Sequence, residues 1–437
     1  MSLIISDAAL KGAFSSIAAY PSVALAVSGG PDSIALMHLA CRWANVLGRS
    51  RSTLSVLTVD HGLRPEGKQE AAFVAEEAAK LGLTHATLTW GGVKPKTGIQ
   101  AAARRARYAL MAGHCRSHGL ACLVTAHTED DQAETFLMRL RRGSGLDGLA
   151  AMAPVSAYDG LPLIRPLLGI SKARLFAYLR AGSLPFIRDP SNDNQAFERV
   201  RLRTAMKALA LAGIQKPMLA RAAFRLGRAR EALDAAASAY LEESFTVRSL
   251  GQAETGPEAF FALPDEIALR VLAEALALIG GKDAPPQMAK VERLLKDLSR
   301  QREASLGGCL ISLGRNSLRF YREPGRLGKK QTAAVAGATT VFDGRFLLNF
   351  ADGMAKGLTL APLGPVGWAH VRSVMKDQAL TIKACRLAAL TTPALWRGDA
   401  LVAAPSLRFV EPGKEPGAGQ PVSVELVPRL SRFLKPD

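Results

Sequence analysis

The chain has 437 residues, 48% of them hydrophobic, and carries 56 Lys and Arg against 38 Asp and Glu, giving a formal net charge of +18 and a pI near 10.0. That length predicts two or three domains with ordinary cores, and the surplus of positive charge predicts a polyanionic partner, nucleic acid or an anionic membrane surface. No apolar run approaches the roughly 18 residues that span a bilayer, and the opening Met1–Asp7 has neither a basic region nor a long apolar core, so neither a membrane span nor a signal peptide is expected.

Val23–Val27 reads as a short strand and Asp32–Leu47 as an amphipathic helix carrying Ile34, Leu36, Met37, Leu39 and Ala40. Between them stands Ser28-Gly29-Gly30-Pro31-Asp32-Ser33. A strand, a glycine turn and a helix N-terminus form an anion-binding corner, because turn N–H groups point outward and the helix dipole favours negative charge. Gly29 and Gly30 let backbone approach a phosphate and permit positive φ, Ser28 and Ser33 add hydroxyl donors, and Asp32 can hold a Mg²⁺ that bridges phosphates. No lysine follows the glycines, so the G-x-x-x-x-G-K-[ST] loop of kinases and GTPases is absent.

Leu54–Asp60 is a second strand and Glu66–Leu81 a second helix. In Val59-Asp60-His61-Gly62-Leu63-Arg64, Asp60 either caps a turn or, with His61, forms an edge that holds a nucleotide. His85–Trp90 is a third strand, followed by a long helix over Ile99–His118. On that helix Arg104 and Arg107 share a face, either as solvated charge or as guanidinium forks for phosphate. Ala121–Ala126 is a fourth strand, and a helix covers Asp131–Arg142. The junction His127-Thr128-Glu129-Asp130-Asp131-Gln132-Ala133-Glu134 places three carboxylates, Glu129, Asp130 and Asp131, at a helix start, and Asp130 shares a helix face with a fourth, Glu134. They can cap the helix, or hold Mg²⁺ or an ammonium group. The alternation of strand and helix implies an α/β fold with a parallel sheet covered on both faces. Ligands in such sheets bind at the carboxyl ends of strands, where the glycine loop, Asp60-His61 and His127 all fall.

Gly143–Gly148 matches G-x-G-x-x-G but follows a helix, so it fails as a dinucleotide fingerprint. Its flank, Leu140-Arg141-Arg142-Gly143-Ser144-Gly145, is basic and suits a loop touching a nucleic-acid backbone. Arg199 to Arg230 holds nine Lys and Arg and no acid, with Arg199, Arg201 and Arg203 first and Arg221, Arg225 and Arg228 at helical spacing. A solvated face would mix signs, so RNA is the expected partner here. Helices are expected over 217–245 and 256–302. From about residue 308 short apolar segments (Leu310–Leu313, Val341–Phe342, Phe346–Phe350, Leu401–Ala403) suggest β structure or a small α+β module. Lys329–Thr339 reads as a linker and Glu411–Gln420 as a Pro/Gly-rich stretch. The expected domains are 1–215, 216–328 and 340–437, the middle one helical and RNA-binding. Cys41, Cys115, Cys122, Cys309 and Cys385 are odd in number and show no C-x-x-C, which argues against a disulfide framework or a Cys-rich metal site and for a reduced, cytoplasmic protein.

Residues 28–33 resemble the SGGxDS loop of the PP-loop ATP pyrophosphatases, which cleave ATP to AMP and pyrophosphate while adenylating an oxygen atom. Over the first 205 residues, SGGPDS (28–33), VDHGLR (59–64), ARRARY (103–108), AHTEDDQAETFLMRLRRGSGLDGL (126–149), RPLL (165–168) and DPSN followed by ERVRLR (189–204) resemble, in order, the blocks of the tRNA(Ile)-lysidine synthetase family. Thr58 stands where many members carry His, and Glu198-Arg199-Val200-Arg201 approximates the family's Arg-Asn-x-x-Arg. Pro393–Asp399 is weakly similar to its last module. The resemblance implies a Rossmann-like PP-loop domain, a helical domain and a small α+β domain. It further implies a ligase whose substrates are ATP, L-lysine and a minor isoleucine tRNA with a CAU anticodon, with a homodimer left open. ATP adenylates the wobble cytidine's carbonyl oxygen, and the lysine ε-amine then displaces AMP. On this reading Ser28, Gly29, Gly30, Pro31, Asp32, Ser33, Asp60 and His61 bind the nucleotide, and Asp32 takes Mg²⁺. Asp32, Asp130, Asp131, Glu134, His127 and Arg104 serve the chemistry. Arg141, Arg142, Arg199, Arg201, Arg203, Arg221, Arg225 and Arg228 touch tRNA. Two alternatives remain: a PP-loop tRNA 2-thiolation enzyme, which usually needs paired cysteines, and a non-catalytic basic RNA-binding protein with a decayed loop. Cys115 and Cys122, seven apart, argue against the first, and intact Ser28, Asp32 and Ser33 argue against the second.

Overall fold

The computed structural model describes residues 5–95, 97–188, 198–298, 300–327, 332–352, 357–375, 386–413 and 422–435; the side chains of 198–200 are not described. The chain divides into two compact units, Met1–Arg230 and Glu231–Asp437.

The first unit runs α1 (Asp7–Ala13), β1 (Val23–Ala26), α2 (Pro31–Val46), β2 (Leu54–Asp60), α3 (Glu66–Lys80), β3 (Thr84–Thr89), α4 (Ile99–Ser117), β4 (Cys122–Val124), α5 (Glu129–Arg141), α6 (Leu146–Leu149), β5 (Val155–Tyr158), β6 (Leu161–Ile164), α7 (Lys172–Ala181), α8 (Glu198–Leu211) and the start of α9 (Lys216–Ser244). Six strands form one sheet in the order β3-β2-β1-β4-β6-β5, parallel throughout except for the antiparallel β5–β6 hairpin at the edge. The central strands β1 and β4 are apolar because both sheet faces are covered. On one face Leu10, Phe14, Leu36, Trp43, Leu175 and Leu179 pack against Val23, Leu25 and Val56. On the other, Tyr108, Met111 and Cys115 of α4 pack against Leu57, Leu123 and Leu163. The α/β reading therefore holds, and a hairpin and four helices (α1, α6, α7, α8) that the sequence reading does not assign complete the unit.

In the second unit α9 continues to Ser244, followed by β7 (Thr246–Val247), β8 (Ala253–Thr255), α10 (Pro257–Phe261), α11 (Asp265–Ile279), α12 (Met288–Leu298), β9 (Glu303–Leu306), β10 (Cys309–Leu313) and β11 (Leu318–Arg322). These strands form an antiparallel sheet, β7-β8-β11-β10-β9. Strands β12 (Thr332–Ala333), β13 (Thr339–Phe342), β14 (Phe346–Asn349), β15 (Thr359–Pro362), β16 (Pro393–Arg397), β17 (Ala400–Ala404), β18 (Phe409–Val410) and β19 (Ser423–Leu426) form two more, β12-β15-β16-β17-β18 and β13-β14-β19.

The domain limits differ from those expected. Residues 216–230 belong to the first unit, because Leu219, Ala223 and Leu226 pack on Phe136, Leu149 and Ala151. No division falls between 328 and 340, because Leu272, Phe320, Phe346 and Leu426 share one core. The segment 216–328 contains a five-stranded sheet as well as helices. Of the expected linker, 329–331 lies outside the described residues, as does 414–420 of the Pro/Gly-rich stretch. Among the described residues no helix is long and apolar enough to cross a membrane.

Candidate functional site

A cavity of about 810 Å³ opens at the carboxyl ends of β1, β2 and β4, within the first unit. Its floor is the turn from β1 into α2. Gly29 takes φ +82, and a side chain there would meet Ile187 Cδ1 at 3.0 Å. Ile187 in turn donates its N–H to the Gly29 carbonyl at 2.9 Å. Gly30 is the N-cap and brings no capping side chain, and Pro31 occupies the first turn. The helix start thus keeps backbone donors for an anion. Ser33 is turned inward: its hydroxyl accepts the Ser28 N–H at 3.1 Å and donates to the Gly30 carbonyl at 2.9 Å. It shapes the loop instead of reaching outward.

Asp60 and His61 stand at the end of β2 on the same cavity. Asp60 is 8% exposed, and its Oδ1 accepts the Gly62 N–H at 2.8 Å, so it does cap the turn. His61 lies edge-on to Trp90 with ring centroids 5.9 Å apart, and its buried Nδ1 has no partner. Burial, then the Arg107 charge, hold its imidazole below its ordinary pKa. Thr58 also lines the cavity and shares a 2.9 Å hydrogen bond with His85 Nε2, so an imidazole reaches this point from the neighbouring strand.

At the end of β4, His127 Nδ1 lies 2.8 Å from Thr125 Oγ1, and burial pushes its pKa well down, keeping it neutral. α5 then starts with a reciprocal cap. Thr128 N–H and Oγ1 both donate to Asp131 Oδ2 at 2.9 Å, and Asp131 N–H donates to Thr128 Oγ1 at 3.3 Å. The remaining Asp131 Oδ1 pairs with Lys172 Nζ at 3.2 Å, and Asp32 Oδ2 pairs with the same ammonium at 3.2 Å. Asp130 Oδ2 accepts the Lys172 N–H at 2.8 Å, and its Oδ1 pairs with Lys216 Nζ at 2.7 Å. Glu134, 1% exposed, pairs through Oε1 with Arg203 Nε at 2.7 Å. Four carboxylates therefore meet Lys172, Lys216 and Arg203. Two oxygens, Asp32 Oδ1 and Glu134 Oε2, are buried without a partner. Burial raises the Asp32 pKa against the pull of Lys172. For Lys172, burial acts downward, but Asp131 and Asp32 outweigh it and raise its pKa, so the ammonium stays charged.

Asp130 and Glu134 line the cavity together, as their spacing implied, whereas Asp131 is spent on the cap and on Lys172. Arg104 departs from expectation. It is exposed and lies over the Tyr108 ring, 5.2 Å from its centre, while Arg107, one turn on, lines the cavity. Arg203, expected on tRNA, is instead the partner of Glu134. Arg141, Arg142, Arg201, Arg221, Arg225 and Arg228 are exposed. The Arg199 side chain and the Asp189–Asn192 block lie outside the described residues. Lys172 and Lys216 were missed. Each is the first residue of a helix, where a cation opposes the dipole and calls for a nearby acid, a signal that the sequence does carry.

A Mg²⁺ fits these residues in one way. Asp32 Oδ1 is an unpartnered oxygen at the loop, and no group of three or more His, Cys, Asp or Glu among the described residues is placed to hold a metal. Phosphate oxygens and water would complete its shell.

Comparison with known proteins adds the family. Residues 6–209 match the PP-loop domain. The chain is 46% identical over 347 residues to a tRNA(Ile)-lysidine synthase of Bradyrhizobium sp. strain BTAi1, covering 74% of this chain and 96% of that protein. It is 43% identical over 344 residues to the one from Bradyrhizobium diazoefficiens, covering 73% and 94%. Against the one from Ruegeria pomeroyi it is 40% identical over 381 residues, 87% of each chain. With a PP-loop crevice in place and relatives of this similarity matched over nearly their whole length, the chain belongs to the tRNA(Ile)-lysidine synthase family.

Proposed function

We propose that this chain joins L-lysine to the wobble cytidine of a minor isoleucine tRNA at the expense of ATP, and that both steps occur in the crevice between the glycine loop and the start of α5. In the first step the cytidine carbonyl oxygen attacks the α-phosphorus and pyrophosphate leaves. The backbone donors at the start of α2 face the growing negative charge, the arrangement that stabilises such a transition state. Asp32 would hold Mg²⁺, which supplies charge neutralisation to the phosphates. Lys172 holds Asp32 and Asp131 in place as the cation between them, and His61 and Asp60 form the edge against the nucleoside.

In the second step the lysine ε-nitrogen bonds to the ring carbon, the carbon–oxygen bond to AMP breaks, and the nitrogen loses a proton. An ammonium group needs a carboxylate to bind it and to take that proton. Glu134 is the residue we assign. The observation that carries this is its buried Oε2, which has no partner while Oε1 is held by Arg203, on a residue that lines the cavity. Asp130 lies beside it but has both oxygens engaged. Neutral His127 serves as a hydrogen-bonding wall, not as a proton carrier. The exposed arginines of α9 suit the tRNA backbone.

Sulfur transfer is disfavoured by the thiols. Cys115 and Cys122 are both buried, and burial pushes their pKa up to about 11 and about 12, away from nucleophilic thiolate. The test is mass analysis of the wobble nucleoside after incubation with tRNA, ATP and isotopically labelled lysine. A labelled product heavier by one lysine less one water is expected. A sulfur-for-oxygen shift, or pyrophosphate release with no lysine incorporated, would overturn the proposal.

A further inference from the structure

α9 turns two unlike faces outward and inward between residues 217 and 228. Ala220 and Ala223 are 8% and 0% exposed, and Leu219, Ala222 and Leu226 pack with them against Phe136 and Ala151. The opposite face carries Met218, Arg221, Phe224, Arg225 and Arg228, all exposed. At 3.6 residues per turn these five positions fall within roughly 120° of the helix circumference and span about 15 Å of its length. Phe224 is 59% exposed and Met218 58%. The inner face already anchors the helix, so the fold has no use for a phenyl ring at 224.

A bare aromatic ring set among guanidinium groups matches one ligand chemistry well. The cations follow a phosphate backbone, and the ring offers a stacking surface to any base that has left its own stack. Duplex RNA hides its base faces and would gain nothing from the ring. Charge complementarity selects RNA over a second copy of this chain, whose net charge is +18.

We propose that this face of α9 receives a single-stranded nucleotide of the tRNA substrate, with Phe224 stacking on an unpaired base and Arg221, Arg225 and Arg228 tracking the backbone. The proposal rests on the tRNA reading above and adds a residue that reads strandedness.

The experiment measures binding of the full-length protein to an anticodon stem-loop RNA and to a blunt duplex of equal length across a salt series. Phe224→Ala should weaken stem-loop binding about tenfold or more while leaving duplex binding and the salt slope unchanged. Phe224→Tyr should retain wild-type affinity, and both variants should melt as wild type does. Stem-loop affinity unchanged in Phe224→Ala, or lost equally for loop and duplex, would overturn the stacking role. Arg225→Gln should lower the log–log salt slope by roughly one. An unchanged slope would instead remove the basic-face reading, so the two failures are distinguishable.

Discussion

Each unit buries a cluster of charges, and the two clusters are finished differently. In the second unit Asp343, 4% exposed at its side chain, accepts Arg322 Nε at 2.8 Å, Arg322 NH2 at 3.0 Å and Arg345 Nε at 3.0 Å. Two further guanidinium nitrogens reach backbone: Arg322 NH1 to the Gly308 carbonyl at 2.7 Å and Arg345 NH2 to the Thr391 carbonyl at 2.9 Å. Both oxygens of the Asp343 carboxylate are thus engaged by guanidinium groups. In the first unit four carboxylates meet three cations, yet Asp32 Oδ1 and Glu134 Oε2 stay buried and unpartnered beside a cavity. A buried charge that is fully hydrogen-bonded holds a fold together, whereas one left short costs stability and is retained for a ligand.

The largest effects should separate the clusters outright. Asp32→Ala is expected to lower pyrophosphate release about 1,000-fold, since on the reading proposed above it removes the carboxylate that would hold Mg²⁺ against the phosphates, with no loss of melting temperature. Asp343→Ala leaves two guanidinium groups buried without their carboxylate and should cost about 3–5 kcal/mol in unfolding free energy. Calorimetry and pyrophosphate assays on both variants test this. If Asp32→Ala unfolds as readily as Asp343→Ala, the distinction between the clusters fails.

A smaller effect sharpens the comparison inside the first cluster. Glu134→Gln should raise the lysine KM by about ten- to a hundred-fold, the loss of one charge-assisted contact of ~1.5–3 kcal/mol, with ATP binding retained and adenylated tRNA accumulating. Asp130→Asn should act less on lysine, since that acid is engaged by Lys216 and the Lys172 N–H. Equal lysine KM changes in both variants would show that unpartnered oxygen is a poor guide to the ligand. Loss of ATP binding with normal lysine dependence would make the pair a metal site.

Much of this was legible in the residues, and the gaps have physical causes. Leu54–Asp60 is rich in apolar and β-branched residues and ends at His61-Gly62, and the structure has β2 over those same residues. The strand-end rule then brought Gly30, Asp60, His127 and Asp130 to one crevice. The β5–β6 hairpin was readable in Asp159-Gly160, whose φ values of +50 and +76 are those of a tight hairpin turn, but the flanking strands are only four residues each. Lys172 and Lys216 signal a need for an acid by standing at helix starts, but which acid each meets is not legible. Lys172 and Lys216 lie 42 and 86 residues from Asp130, and only the fold brings them to it. Helical spacing alone could not choose between Arg104 and Arg107, because one helix face holds both while only one of them turns to the cavity.

The smallest effect concerns pH and tests why Asp32 is there. Burial raises its folded pKa above the ordinary 3.8, even with Lys172 beside it. Between 3.8 and the folded value, the native protein holds a proton that the unfolded chain has released. Stability attributable to Asp32 therefore falls as pH rises through that window and stays low above it. Asp32→Asn has no such proton, so its melting temperature should gain on wild type as pH climbs from below 3.8, then level off. The second unit's cluster gives no matching trend from its arginines, since Arg345, pushed down to about 10 by burial, remains charged throughout that range. If wild type instead gains on Asp32→Asn as pH rises, the carboxylate is stabilised by its surroundings. Asp32 would then resemble Asp343, a member of a finished network, and the unpartnered Oδ1 would lose its meaning as a waiting ligand site.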